Sequence, residues 1–493
     1  MTQDQLSART SRGAKLSIFF GTEMWERYGF YIVQSLLALY LSSQLHLSDA
    51  YIYTLVGSFT ALTYISPIIG GWIADYFIGQ KKAVLLGGIL LFGSYILLAF
   101  ALSLSHLLLA FASIAMGTGL LKPSISSLLG RQYLLRDPRR DSAFTIFYLG
   151  ITSGIILGTT LPSKLQECFG WQACFFSAAI GMLLAIFIFS MGVKFLDIQE
   201  YAVLKFSKKI SALSALLIII ISYFVFYLLL SLPYLAHIFF IFIMFFGLGL
   251  VLKIALKEQG DQRRKTLCLF ILFIISGLFW AFYFQMFMLL TLFITRTVES
   301  QIFHINFPAP YYVAVESFGM LVFGLALSKL WLKLGKNNQN KKSNPAFEIS
   351  VKFFFSIVFM FLSYFLILIF AHSESNLLIS PWPILLAYLL ISMAELLLSP
   401  IGLAAVTRLA RPKVVSTLMG VFFVSLGVGG FLSGQLAKLT VISHTQTENL
   451  MLVKNIYFHG FLHMVYLLLG LVCLAGLACF LIKSLSKNIN WDF

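Results

Sequence analysis

Glu23-Met24-Trp25-Glu26-Arg27-Tyr28-Gly29-Phe30-Tyr31 lies in the middle of an apolar run from about Leu16 to Leu41. That run is long enough to cross a bilayer as one helix, yet two acids and an arginine sit at its centre. A charge at the middle of an inserted helix costs roughly 2.5–3.5 kcal/mol, so three together require partners or a polar interior. On a helix the steps from Glu23 to Glu26 and Arg27, and on to Tyr31 and Gln34, are all three or four residues. They predict one polar stripe on one face, turned inward among other helices.

The rest of the chain supports that setting. Its 493 residues are 59% hydrophobic, 16% aromatic and only 11% charged, with a mean hydropathy of +0.91. Such a composition excludes an ordinary soluble domain and predicts a polytopic membrane protein. The net charge of +16 would suggest a nucleic-acid partner in a soluble protein. Here the Lys and Arg residues fall in short loops between apolar runs, so no nucleic-acid partner is expected and the bilayer itself is the surroundings.

Apolar runs of about 20 residues predict fourteen spans. Six come first, at about 16–41, 51–74, 83–105, 106–130, 142–163 and 170–193. Two very apolar spans follow at about 210–231 and 233–254, turned at Pro233. Six more lie at about 266–294, 310–334, 347–371, 383–407, 413–438 and 456–482. The expected organisation is a six-helix bundle over 1–193, a linker with two inserted helices over 194–265, and a second six-helix bundle over 266–493. The inserted pair is almost free of polar residues and is expected to face lipid. The first run continues past any small-residue cleavage site, so it is expected to remain in the mature protein.

Basic residues fill alternate loops: Arg9, Arg12 and Lys15, then Lys81 and Lys82, then Arg131 to Arg140, Lys194 to Lys209, Lys253 to Lys265, Lys329 to Lys352, Arg408 to Lys413, and Lys483 with Lys487. The intervening loops hold only Lys164, Arg296, Lys438 and Lys454. The positive-inside rule then places both termini in the cytoplasm. A faint echo links the halves: Pro123 precedes Arg131, and Pro400 precedes Arg408, by the same eight residues. Paired repeats around a central cavity would produce it.

Six ionisable residues fall well inside spans: Glu23, Glu26, Arg27, Lys122, Glu316 and Glu395. Glu316, close behind Pro310, could instead mark a span end. Opposite charges on different buried helices are expected to pair, and Lys122 with Glu395 is the predicted bridge between halves. Other patterns carry less. Gly427, Gly429, Gly430 and Gly434 sit mid-span with no strand before them and predict close helix packing rather than a dinucleotide loop. His459 and His463 lack a third ligand, so no metal is expected. The five cysteines read as apolar filler, although Cys168 and Cys174 flank one loop and could pair. No nucleophile elbow, HExxH or P-loop is present, so neither enzyme activity nor a cofactor is expected.

Gly70-Gly71-Trp72-Ile73-Ala74-Asp75-Tyr76-Phe77-Ile78-Gly79-Gln80-Lys81-Lys82 resembles the loop after the second span of the major facilitator superfamily. Glu23 to Tyr31 resembles the E-x-x-E-R-F-x-Y-Y motif of the proton-dependent oligopeptide transporters, whose bacterial members are similar in their six-two-six arrangement. Leu120-Leu121-Lys122-Pro123, Phe279-Trp280-Ala281 and Ala394-Glu395-Leu396-Leu397-Leu398-Ser399-Pro400-Ile401-Gly402-Leu403 resemble further motifs of that family. The resemblance implies an all-α major facilitator fold in the cell inner membrane. It also implies a proton-coupled symporter importing di- and tripeptides by alternating access, expected as a monomer.

Carried over by position, the resemblance implies proton coupling at Glu23, Glu26, Arg27, Lys122 and Glu395. It implies substrate contacts from Tyr31, Gln34, Lys122, Trp280, Gln285, Glu316, Glu395 and Ser399, with Lys122 for the peptide carboxylate and Glu395 for its amine. The chain departs from the family at Phe30, Gln34, Phe284, Thr152 and Glu316. Gln34 and Phe284 together delete one opposite-charge bridge while leaving no orphan charge. Glu316 stands in place of an asparagine, and could add an acid at the amine end or titrate. These departures keep open a non-peptide solute, such as nitrate, an amino-acid conjugate or a drug-like amine.

Overall fold

The computed structural model describes residues 3–101, 103–133, 139–201, 208–337, 344–372, 377–443, 446, 449–487 and 489. The basic segments Arg131 to Arg140, Lys194 to Lys209 and Lys329 to Lys352 lie partly outside the described residues. The described chain is almost wholly helical. Its helices are α1 (Gln3–Ser43), α2 (Asp49–Ile73), α3 (Gln80–Ala99), α4 (Leu104–Arg131), α5 (Arg139–Phe195), α6 (Lys208–Ser231), α7 (Pro233–Lys257), α8 (Gly260–Tyr283), α9 (Leu289–Thr297), α10 (Ala309–Asn337), α11 (Pro345–Ala371), α12 (Pro381–Leu409), α13 (Val415–Ala437) and α14 (Leu450–Leu485).

Two of these differ from single spans. α5 runs for 57 residues but breaks at Gly170, whose φ of 81° suits a residue without Cβ, so it contains the fifth and sixth expected spans. α8 and α9 together make one span, interrupted by a single 3₁₀ turn at Phe284–Phe287 and by Met288 at φ −139° and ψ −80°. Among the described residues, twelve helical stretches are long and apolar enough to cross a membrane. α1 is the exception to simple apolarity, because of its own buried charges.

Local chemistry sets several helix ends. The Asn344 side chain accepts from the Phe347 N–H at 3.2 Å to open α11, with Pro345 at its first position. Asn449 caps α14 in the same way at 3.1 Å. After α2 the chain winds one π-turn, Ala74–Ile78, and reverses at Gly79 with φ 84°. The Asp75 carboxylate accepts from Gln80 Nε2 across that turn at 3.3 Å.

The chain divides into two compact units. One comprises Met1–Leu37 and Leu62–Ala236. In it, α3 lies on α4 where Gly87 faces Gly117, and α2 meets α4 where Gly70 faces Gly119. α1 meets α5 along Gly150, Gly154 and Gly158: a Cβ at Gly158 would stand 2.6 Å from the Tyr28 carbonyl oxygen. One-turn glycine spacing lets two backbones touch, which is how apolar helices associate without a hydrophobic drive between them. The Cys174 thiol donates to the Pro162 carbonyl at 3.0 Å, and Cys168 is free, so these two do not pair.

The other unit comprises Ala38–Ala61 and His237–Phe493. The glycines of α13 do pack helices, as expected: Gly429 abuts Trp280, Gly430 abuts Thr60, and Gly434 abuts Gly57 and the Tyr53 carbonyl. The inserted helices are the least covered of the apolar set. Only 28% of the apolar core of α6 and 22% of that of α7 is buried, against 72% in α4. That exposure suits helices whose outer faces meet lipid.

Candidate functional site

In the first unit the charged part of the α1 stripe is fully enclosed. Glu23, Glu26 and Arg27 are each 3% exposed or less. The helical spacing put Glu23 and Arg27 one turn apart, and they are 3.5 Å apart. The tighter partner is the adjacent residue. Arg27 Nη2 donates to Glu26 Oε1 at 2.6 Å while its Nε donates to Oε2, a bidentate fork that satisfies both carboxylate oxygens. Spacing rules overlook it because neighbours on a helix do not face each other unless a long side chain folds back. Phe30, where the family motif has tyrosine, closes the fork from below with its ring 4.8 Å from the guanidinium carbon.

Other groups of the unit converge on this cluster. Lys122 of α4 is within electrostatic reach of Glu23, Glu26 and Arg27, and its ammonium lies over the Tyr64 ring at 5.1 Å. Two acids therefore face two bases, a balanced set in a poorly hydrated interior. Glu23 Oε2 has no hydrogen-bond partner among the described residues. Tyr31 interacts with Arg27 and is half-buried, and Gln34 is buried on the same face. Thr152 turns inward to its own helix, donating to the Tyr148 carbonyl at 3.2 Å.

The second unit holds the other expected residues. Trp280 stacks on Phe284 at 5.4 Å and meets Tyr283 edge-on at 4.9 Å. Gln285 is fully buried, its amide donating to the Ser433 carbonyl at 2.9 Å, so it ties the 3₁₀ turn to α13. Glu316 is 2% exposed on the second turn of α10. It lies within electrostatic reach of Glu395 of α12, which is also within reach of the Tyr283 hydroxyl. Ser392 braces the pair from below by donating to the Glu316 carbonyl at 2.8 Å. Ser399, one turn beyond Glu395, is half-buried on α12.

Sequence reasoning missed Tyr283, Tyr312 and Tyr388 around these acids, since buried tyrosines look like any other aromatic in an apolar run. It also missed a second ion pair. Arg296 holds Asp49 through two bonds, Nη1 to Oδ2 at 2.7 Å and Nη2 to Oδ1 at 2.8 Å. The Tyr457 hydroxyl at 3.1 Å and the Ile442 N–H at 3.1 Å complete it.

An acid–arginine–lysine cluster and a pair of acids, carried on membrane-length helices, suit a membrane transporter. The comparisons agree. A family model described as the POT family matches residues 81–453, and the chain belongs to that family of membrane transporters. It is 30% identical over 460 residues to the dipeptide and tripeptide permease A of Edwardsiella piscicida, covering 90% of each chain. It is 29% identical over 458 residues to the permease of the same name from Klebsiella pneumoniae (strain 342), covering 90% of this chain and 87% of that one. Among solved structures, the peptide transporter POT in complex with sulfate matches with a TM-score of 0.79 at 26% identity, covering 95% of each chain.

Proposed function

We propose that the protein is a proton-coupled symporter that imports di- and tripeptides across the inner membrane by alternating access. The observation that carries this reading is the split of buried charge. The Glu23–Glu26–Arg27 cluster and Lys122 belong to one unit, and the Glu316–Glu395 pair belongs to the other. A zwitterionic peptide needs a cation for its carboxylate and an anion for its amine, and Lys122 and Glu395 supply them. Trp280 and Tyr31 add apolar and polar wall, with Gln34, Gln285 and Ser399 as further substrate contacts. The names of the relatives point to the same substrate class.

The coupling is read as follows. Protonation of Glu26 or Glu23 releases the fork on Arg27 and disturbs the balance with Lys122. Substrate engagement then alters the charge facing Lys122 and Glu395. Each event biases a two-state rocking of one bundle against the other. Uptake of labelled Ala-Ala into proteoliposomes, with and without an imposed proton gradient, tests the reading. Accumulation only with the gradient supports it. Glu316 favours one rival, transport of a non-peptide cation, and accumulation of a drug-like amine that Ala-Ala fails to compete would establish that rival instead.

A further inference from the structure

We propose that a crevice between α7, α8 and α13 holds one acyl chain of an anionic phospholipid of the cytoplasmic leaflet, with Arg263 and Arg264 meeting its phosphate. All three helices belong to the second unit. The crevice, of about 110 Å³, is walled by Gly247 and Leu248 of α7, Ile274 and Gly277 of α8, and Val424 and Val428 of α13. Its polar side chain, Ser425, is already engaged: the hydroxyl donates to the Phe422 carbonyl at 2.6 Å and meets Ser276 Oγ at 3.0 Å. Such walls suit hydrocarbon and not a polar solute. An apolar cavity of about 150 Å³ stays dry and takes up benzene, so this one suits the last few carbons of a single chain.

The helices are fastened on either side of this gap. Near the start of α7 the His237 ring lies 3.0 Å from Gln435 Oε1, and Phe240 packs on Phe431 at 5.0 Å. Near its end Val251 and Ala255 are fully buried. Between these points the glycines leave space instead of closing it. A Cβ at Gly277 would meet nothing nearer than the Ser425 carbonyl oxygen at 3.7 Å, and one at Gly247 nothing nearer than Val424 Cγ1 at 3.4 Å. At Gly57, which does pack backbone on backbone, the same atom would stand 2.9 Å from Gly434 Cα. Leu248, Ile274 and Val424 are each partly exposed, so the crevice opens sideways within the membrane-length part of the helices. The surroundings there are lipid chains.

Charge and depth select the headgroup. Leu267, Phe270 and Ile274 follow Arg263 at steps of four, three and four residues, and each is exposed or half-exposed, so one open stripe of α8 joins that arginine to the crevice. Arg264 flanks the same stripe through Leu267 and Ile271. The rise from Arg263 to Ile274 is about 16 Å, close to half of a hydrocarbon core about 30 Å thick. A phospholipid whose chain ends at Ile274 therefore carries its phosphate at the level of both arginines. Lys257, Arg263, Arg264 and Lys265 outnumber Glu258 and Asp261 in this turn. Glu258 is itself engaged, accepting from Thr266 Oγ1 at 2.5 Å with Arg411 at 3.7 Å. Gln259 makes no side-chain cap, so the first N–H groups of α8 face the same phosphate. A basic turn of this kind lies on the cytoplasmic side and attracts anionic lipid.

Titration of the purified full-length protein with phosphatidylglycerol or phosphatidylethanolamine of identical acyl chains, with bound lipid counted by native mass spectrometry, tests the site. The wild type should prefer phosphatidylglycerol by about 25-fold, each arginine contributing about fivefold. The double variant Arg263→Gln, Arg264→Gln should lose that preference. Lys81→Gln with Lys82→Gln removes two equal charges from another basic turn and should keep it. Gly277→Leu and Val424→Phe fill the crevice from opposite walls, and each should weaken phosphatidylglycerol binding at least about tenfold, the loss of about two buried methylenes. Equal binding of the two lipids to the wild type would overturn the anionic headgroup. Equal losses in both charge variants would make the attraction diffuse and overturn the assignment to Arg263 and Arg264. Undiminished binding in either filling variant, folded by its melting curve, would overturn the crevice.

Discussion

Arg27 clasps the carboxylate of its own neighbour, Glu26, through two hydrogen bonds, and Glu23 stands a further turn back at 3.5 Å. In the proposed coupling, Glu26 is the controlling acid. A proton on Glu26 removes an acceptor from the fork and leaves Arg27 to Glu23 alone. In that proposal the three residues act as one unit whose state depends on a single proton. Arg27 stays charged throughout, so it can drive that proton off again.

Glu26→Gln should separate coupling from binding. The amide keeps the shape and one acceptor oxygen but cannot exchange a proton. Gradient-driven accumulation of Ala-Ala in proteoliposomes is expected to fall at least about tenfold, the loss of about 1.4 kcal/mol of driving interaction or more. Exchange of labelled for unlabelled Ala-Ala at equal concentrations, which needs no net proton flow, should persist. Undiminished accumulation in this variant would remove Glu26 from the coupling.

The glycine contacts of α1 with α5 predict a stability difference between two similar substitutions. Gly154→Val places branched carbons against the Met24 carbonyl oxygen and Arg27 Cβ, the very backbone that holds the cluster. Overpacking of this kind costs typically about 1–3 kcal/mol. Gly93→Ala, in α3, meets nothing within 4 Å and should be neutral or gain up to about 1 kcal/mol from helix propensity. Thermal melting of both variants in detergent reads the contrast directly.

Lys122 offers a test of substrate polarity. If its ammonium meets the peptide carboxylate, Lys122→Gln removes a charged hydrogen bond of about 1.5–3 kcal/mol, so affinity for Ala-Ala drops by roughly 10–100-fold. The wild type should discriminate strongly between Ala-Ala and its C-terminal amide, and the variant should discriminate weakly. Competition binding with the two ligands measures this. Equal discrimination in both proteins would assign the carboxylate to another residue.

Much of this architecture was legible because lipid demands it. A membrane helix must be about 20 apolar residues long, and α6 or α7 could hardly be anything else. The Glu23 to Tyr31 stretch was legible for the opposite reason, since charges so expensive in a span must be functional. The interruption at Met288 was not, because Phe284-Gln285-Met286-Phe287 contains neither glycine nor proline. The fork of Arg27 on Glu26 escaped because spacing speaks for faces of a helix and not for side-chain folding. The approach of Glu316 to Glu395 lay outside any local pattern. Both acids were visible, but their meeting depends on how α10 and α12 pack.

Asp49 and Arg296 illustrate the same limit, and they carry the sharpest thermodynamic prediction. They are 247 positions apart, joining the first turn of α2 to the last turn of α9 within the second unit. Asp49 is 3% exposed at its side chain and Arg296 17%, so neither loses all contact with water, but Asp49 nearly does. Removing one partner of a buried pair costs about 3–5 kcal/mol because the other charge is stranded, and partial exposure of Arg296 lowers this to about 2–3 kcal/mol. Arg296→Met should be the more damaging single change, leaving the Asp49 carboxylate with the Ile442 N–H alone. The double variant Asp49→Asn, Arg296→Met leaves no unpaired charge and should recover part of the loss. Melting curves of the wild type, both single variants and the double variant form the cycle. Additive losses across the four proteins would show that the pair contributes no coupling energy, and that Asp49 is held by the Ile442 backbone and its helix position alone.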